Sequence, residues 1–302
     1  MPDGAPASNA PGLSPQPPGD GHAKGRSSAA LTTLKTLAFV GAIQVFALAI
    51  TKVNAPITEA VGPVYEPAGT SSSGSIGNVL ILVVFVFATT LTAVWLARKR
   101  RVKLFMGMIF GGTAIALFLL TLLASTSLTE NYMDANSSLY LSLALATATV
   151  VLLSLIALRK VPASMALVLT GLLSAEVGSY FASAIPILTA ILLPLGFSLY
   201  DIYTVFRGPL KTLINTLPDE SLTTMASTIG DFSIGTGDTV FYAMVPALGY
   251  YQFGFGSAFL AILAVDAGVV MTLYLLSKAK LLPGLPIPMG LGVAVLLAFY
   301  FR

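Results

Sequence analysis

The 302-residue chain contains no cysteine, which excludes disulfides, thiolate chemistry and cysteine-based metal sites. Histidine is almost as scarce. The one copy, His22, sits in a Pro/Gly/Ser-rich amino-terminal stretch, so no imidazole falls within an apolar run. A zinc protease needs His-Glu-x-x-His or equivalent ligands, and a serine hydrolase needs a His base beside its nucleophile. Neither chemistry can be housed in the apolar part of this chain. Charge is scarce too: Asp, Glu, Lys and Arg make up 10% of the residues, against about 25% in a soluble domain. What remains is 56% hydrophobic with a mean hydropathy of +0.86. Such a composition belongs in a bilayer, and the expected fold class is all-α, a polytopic bundle of transmembrane helices.

Residues 1–28 hold almost no bulky apolar side chains and are expected to form a disordered tail. The apolar run that follows is too long for a secretory signal and lacks a cleavage site. One membrane domain is expected over residues 29–302. A span needs about 20 apolar residues, and nine runs qualify: Leu31–Ile50, Ile76–Ala97, Leu104–Ala124, Leu139–Leu158, Ser164–Ala182, Ile185–Phe206, Phe232–Leu248, Phe255–Leu276 and Leu285–Phe301. The fifth and sixth are nearly continuous, and "SYFASAIP", ending at Pro186, reads as the turn between them.

Positive charge fixes the orientation. With the amino terminus on the cytoplasmic side, nine spans put 14 of the 16 Lys and Arg residues inside and only Lys52 and Arg302 outside. The positive-inside rule favours that arrangement, with an extracytoplasmic carboxyl terminus. Glu130, Asp134 and the Asn136-Ser-Ser sequence then face outward.

Four carboxylates lie inside spans: Glu176, Asp201, Asp238 and Asp266. An acid at membrane depth costs at least ~2.5 kcal/mol and marks function by default. Asp201 lies six residues before Arg207, and Asp238 six residues after Phe232, so each is expected roughly 9 Å inside the inner boundary. The two spans are sequential and antiparallel, which sets the aspartates level on neighbouring helices. No Lys, Arg or His in either span can pair with them. Two close carboxyls share one proton, and such a pair is a general acid and a general base in one unit. Asp266, 12 residues before Lys278, is expected near mid-membrane as a packing residue, and Glu176 nearer the outer face as a polar contact.

Two further motifs fit hydrolysis. Gly235 and Gly237 flank Thr236 just before Asp238, and glycines so close weaken a helix and let another backbone approach. A helical substrate hides its carbonyls, so it must be held extended, and strand pairing is the expected means. Pro283, Pro286 and Pro288 surround Gly284 and forbid a regular helix at the start of the last span. Irregular backbone at that depth must be buried or line a wet cavity.

Together, Tyr200-Asp201, Gly235-Thr236-Gly237-Asp238 and Pro283-Gly284-Leu285 resemble the motifs of the presenilin and signal peptide peptidase family of intramembrane aspartyl (GxGD) proteases. The resemblance runs from the first span to the last. It implies a presenilin-like fold and an aspartic endopeptidase that cuts transmembrane helices of single-pass proteins, with Asp201 and Asp238 as the catalytic pair. It also implies that Tyr200, Gly235, Thr236, Gly237, Pro283, Gly284 and Leu285 support the site and bind substrate. Gly284 stands where the family usually has alanine and Thr236 where presenilins have leucine. Glycine loosens the backbone without adding bulk, so catalysis is expected to survive, and Thr236 bears on substrate preference. An inner amino terminus looks like presenilin, whereas signal peptide peptidases are inverted. The loop Arg207–Asp231 is too short for the self-cleavage known in presenilins. The compact chain looks most like archaeal presenilin homologues, which implies an archaeal cell membrane and action without accessory subunits. Homo-oligomerisation stays open. Neither metal, organic cofactor nor nucleic acid is called for.

The alternative is a proton- or cation-coupled transporter or channel, because intramembrane acids and broken helices also suit ion pathways. Transporters commonly show two similar halves, and no internal repeat is evident in these nine spans.

Overall fold

Backbone in hydrocarbon has no water to bond, so apolar runs must close their hydrogen bonds within a helix. In the computed structural model, which describes residues 21–302 apart from 63–64, 100, 131, 159, 208–225, 230–231 and 279–281, they do so. Nine helices are present among the described residues: α1 (Gly21–Val61), α2 (Ser72–Arg98), α3 (Val102–Thr129), α4 (Ala135–Ala157), α5 (Ala163–Ala184), α6 (Ile187–Phe206), α7 (Thr236–Phe253), α8 (Phe255–Leu276) and α9 (Pro286–Tyr300). A hairpin of β1 (Ala226–Ile229) and β2 (Phe232–Gly235) lies between α6 and α7.

α1 begins at Gly21, inside the stretch expected to be a disordered tail, while residues 1–20 lie outside the described residues. The extension is physically cheap. Once the apolar run has nucleated a helix, each added residue closes one more bond, and Ala and Lys accept helical geometry readily.

Seven helices are long and apolar enough to cross a bilayer by length and composition. α7, with 18 residues, and α9, with 15, are not among them. Both follow non-helical chain, and this corrects the seventh span. Phe232–Gly235 is a strand rather than the first turn of a helix, paired antiparallel with β1 in the register Ala226↔Gly235 to Ile229↔Phe232. Gly235, extended at φ −61° and ψ 136°, is the N-cap from which α7 starts.

α7 is the central helix, packed by α1, α5, α6, α8 and α9, and every residue from Phe241 to Gly249 is buried. Small residues allow this. A Cβ at Gly178 of α5 would lie 2.6 Å from the Val240 carbonyl oxygen, so the two helices approach at backbone distance there. Gly254, at φ 84°, reverses the chain between α7 and α8.

One buried bond fixes the depth of α7. Ser174 Oγ and Thr239 Oγ1 are 2.8 Å apart, and Ser174 lies midway along α5. The start of α7 is therefore level with the middle of a full-length span. The hairpin's last strand and the residues just before α9 supply the irregular backbone that the two short helices omit.

Candidate active site

Asp201 stands on the last turns of α6, and its Oδ2 accepts the backbone N–H of Leu285 at 3.1 Å. Asp238 stands in the first turn of α7, three residues beyond the Gly235 N-cap. From that position an acid turns back over the helix start, where unpaired amides and the helix dipole favour its charge. A Cβ at Gly235 would lie 3.3 Å from Asp238 Oδ2, and a Cβ at Gly284 only 2.6 Å from the same atom. The Asp238 carboxyl is thus held between two glycines, where only a hydrogen leaves room.

The three motifs converge on one segment. Leu285 donates to Asp201 while Gly284, one residue earlier, lies against Asp238. Pro283 and Leu285 are buried, the latter 5% exposed. The prolines leave this segment available to both acids. Two of its residues lack an N–H, so the chain enters α9 late and presents unpaired amides and carbonyls to the site.

The remaining expected site residues divide. Thr236 and Gly237 line a cavity of about 550 Å³ between α3, α4, α5 and the start of α7, whose wall includes Thr113, Thr170 and Ser174. Nothing lies within 4 Å of a Cβ placed on Gly237, so this glycine borders space rather than backbone. Tyr200 directs its hydroxyl to another helix. Its hydroxyl bonds Thr90 of α2 and its ring stands edge-on to Phe87 and Phe197. It braces α6 against α2 rather than touching the carboxyls through its hydroxyl.

One expected depth is corrected by the fold. Asp238 does not lie two turns inside a helix beginning at Phe232. Its helix begins at Thr236, after the hairpin strand, and what brings Asp238 to the same place as Asp201 is the Gly284–Leu285 segment that both carboxyls approach. Glu176 lies nearer the carboxyl-terminal end of α5, on the side expected to face outward. It is two residues, roughly 3 Å, beyond Ser174, which touches the neighbour of Asp238. Direction also separates it from the pair: two residues turn a helix by about 200°, so Glu176 faces a second cavity of about 250 Å³ with Phe46, Thr121 and Thr149. Asp266 of α8 lies beside Gln44 of α1, and its buried Oδ1 makes no hydrogen bond of ordinary geometry among the described residues. The short loop expected to resist self-cleavage falls mostly on residues 208–225, outside the described residues.

Sequence reasoning missed Tyr242. It is 4% exposed, and its hydroxyl donates to the Gly284 carbonyl at 2.9 Å. The available signal was its spacing: four residues after Asp238, it shares that helix face.

Comparison with solved structures finds the same fold. The chain matches a presenilin family intramembrane aspartate protease in space group C222 with a TM-score of 0.61 and 23% identity, over 88% of this chain and 98% of that one. It matches a presenilin family intramembrane aspartate protease in space group P2 with a TM-score of 0.57 and 22% identity, over 87% and 96% of the respective chains. No family model matches the sequence, and no curated protein does. The protein is a polytopic α-helical membrane protein. Its fold is the one found in presenilin-family intramembrane aspartate proteases.

Proposed function

We propose that the chain is an intramembrane aspartic endopeptidase that hydrolyses peptide bonds within transmembrane helices of single-pass proteins, using Asp201 and Asp238. The observation that carries this reading is the Gly284–Leu285 segment, which donates its N–H to one carboxyl and lies against the other. Two acids so placed serve water and carbonyl together. The ionised aspartate takes a proton from water as its oxygen attacks the scissile carbon, and the protonated one gives its proton to the carbonyl oxygen. The tetrahedral intermediate then collapses as a proton passes to the leaving nitrogen, and the C–N bond breaks.

The substrate has to be extended for this to happen. The open edge of the hairpin, running directly into Gly235 and Asp238, suits pairing with an unwound segment. The cavity beside Thr236 and Gly237 offers the room. The 14-to-2 distribution of basic residues supports an amino terminus inside, with water arriving from that side. Action without accessory subunits is part of this proposal.

The test uses the purified full chain in liposomes with a single-span substrate. Cleavage that disappears in Asp201→Asn and in Asp238→Asn supports the reading. Cation or proton flux without cleavage refutes it and favours a transporter.

A further inference from the structure

The Gly284 carbonyl and the Leu285 N–H belong to one peptide group. Its oxygen accepts from Tyr242 of α7 at 2.9 Å, and its nitrogen donates to Asp201 of α6 at 3.1 Å. One rigid, planar unit therefore links the helix that carries Asp238 to the carboxyl on the neighbouring helix. Tyr242 shares a face of α7 with Asp238, four residues on, and a Cβ at Gly284 would lie 3.6 Å from its hydroxyl and 2.6 Å from Asp238 Oδ2. From these contacts we infer that Tyr242 is a positioning residue, which sets Asp201 against Asp238 through the 284–285 peptide. The inference rests on the proposed protease reading.

The physical argument has two parts. A peptide plane pinned at one end still rotates about that end, whereas one pinned at both cannot. Tyr242 supplies the second pin from the helix that also carries the other acid. A hydrogen bond to the carbonyl also polarises the peptide and makes its N–H a better donor, since chains of hydrogen bonds strengthen one another. Both effects act on Asp201, although Tyr242 never touches it. The proline-rich segment cannot hold its own peptide: Pro283 and Pro286 lack N–H groups, and no helical turn has yet formed around residue 284. The hydroxyl is needed because the local backbone provides nothing equivalent.

The decisive variant is Tyr242→Phe, which keeps the buried ring and removes one oxygen. In the full chain in liposomes, kcat for a single-span substrate should fall roughly tenfold or more, with KM changed less than about twofold. Affinity for a peptide that carries a tetrahedral hydroxyl in place of the scissile carbonyl should fall by the same factor. Binding of an uncleaved substrate helix should stay at the wild-type value, and the thermal midpoint should fall by only a few degrees, the loss of one part-buried hydrogen bond. A 3-fluorotyrosine at position 242, which retains the hydroxyl, should restore most of the rate. Wild-type kcat in Tyr242→Phe overturns the inference. So does a loss of substrate-helix binding and thermal stability in step with rate, because that describes a packing role. If the wild-type chain cleaves nothing, the protease reading itself fails, a result distinct from either of these.

Discussion

Replacing Gly284 with alanine adds one methyl group, and the structure gives it nowhere to go. The new Cβ would stand 2.6 Å from Asp238 Oδ2 and 3.2 Å from its Cγ, where ordinary contact begins at 3.4 Å. A separation of about 0.8 Å must therefore be found at the site. Asp238 can yield toward Gly235, where the missing Cβ leaves room, but that shift carries its carboxyl away from its place beside the 284–285 peptide. The loop cannot yield freely, because its peptide is bonded to Tyr242 on one side and Asp201 on the other. Any relaxation changes the spacing of the two carboxyls. Misplacement on the order of 1 Å in a catalytic group costs up to ~100-fold. The expected loss in kcat for Gly284→Ala is roughly 10- to 100-fold, about 1.4–2.7 kcal/mol of transition-state stabilisation. The assay is initial-rate cleavage of a single-span substrate in liposomes, with Gly256→Ala as a control, since a Cβ there meets nothing within 4 Å. Wild-type kcat in Gly284→Ala, with the control also normal, would refute the reasoning. The resemblance led only to the expectation that glycine in place of the family's usual alanine lets catalysis survive, and the cost of adding the methyl back follows from the packing around Asp238.

On the proposed reading Asp201 and Asp238 act as one unit, so the double Asn variant should be no slower than either single one, and additive losses in a rate assay would argue for independent roles. Gly178→Val should destabilise the α5–α7 contact by about 3 kcal/mol or more, since its side chain would enter the space of the Val240 carbonyl, and denaturant titration in detergent reads this directly. At the amino-terminal end of α4, hydrogen bonds from Ser137 hold the Asp134 carboxyl below the usual carboxylate range. A lowered folded value means that the contribution is fully present above the unfolded value near ~3.9 and is lost as pH falls through the folded one. Amide exchange at Ser137 should thus be protected at neutral pH and unprotected in acid, and Asp134→Asn should remove that pH dependence.

The sequence by itself determined the membrane setting, the helical fold class and where most of the apolar runs lie, and it singled out the intramembrane acids as candidates, because hydrophobic length and rare intramembrane charge are local properties. The eighth span, Phe255–Leu276, is reproduced to the residue. It also pointed to Gly235, Gly284 and Leu285, whose unusual backbone chemistry is visible in the residue types themselves. Tertiary structure decided the rest. Whether Phe232–Gly235 continues a helix or pairs as a strand depends on a partner strand, Ala226–Ile229, which helical periodicity cannot report. The depth of Asp238 follows from a bond between Thr239 and Ser174, residues 65 positions apart. Tyr200 and Tyr242 look equally eligible as neighbours of an aspartate. One turns to α2 and the other to the 284–285 peptide, because a side chain's direction is set by what packs against its helix, not by the residue beside it.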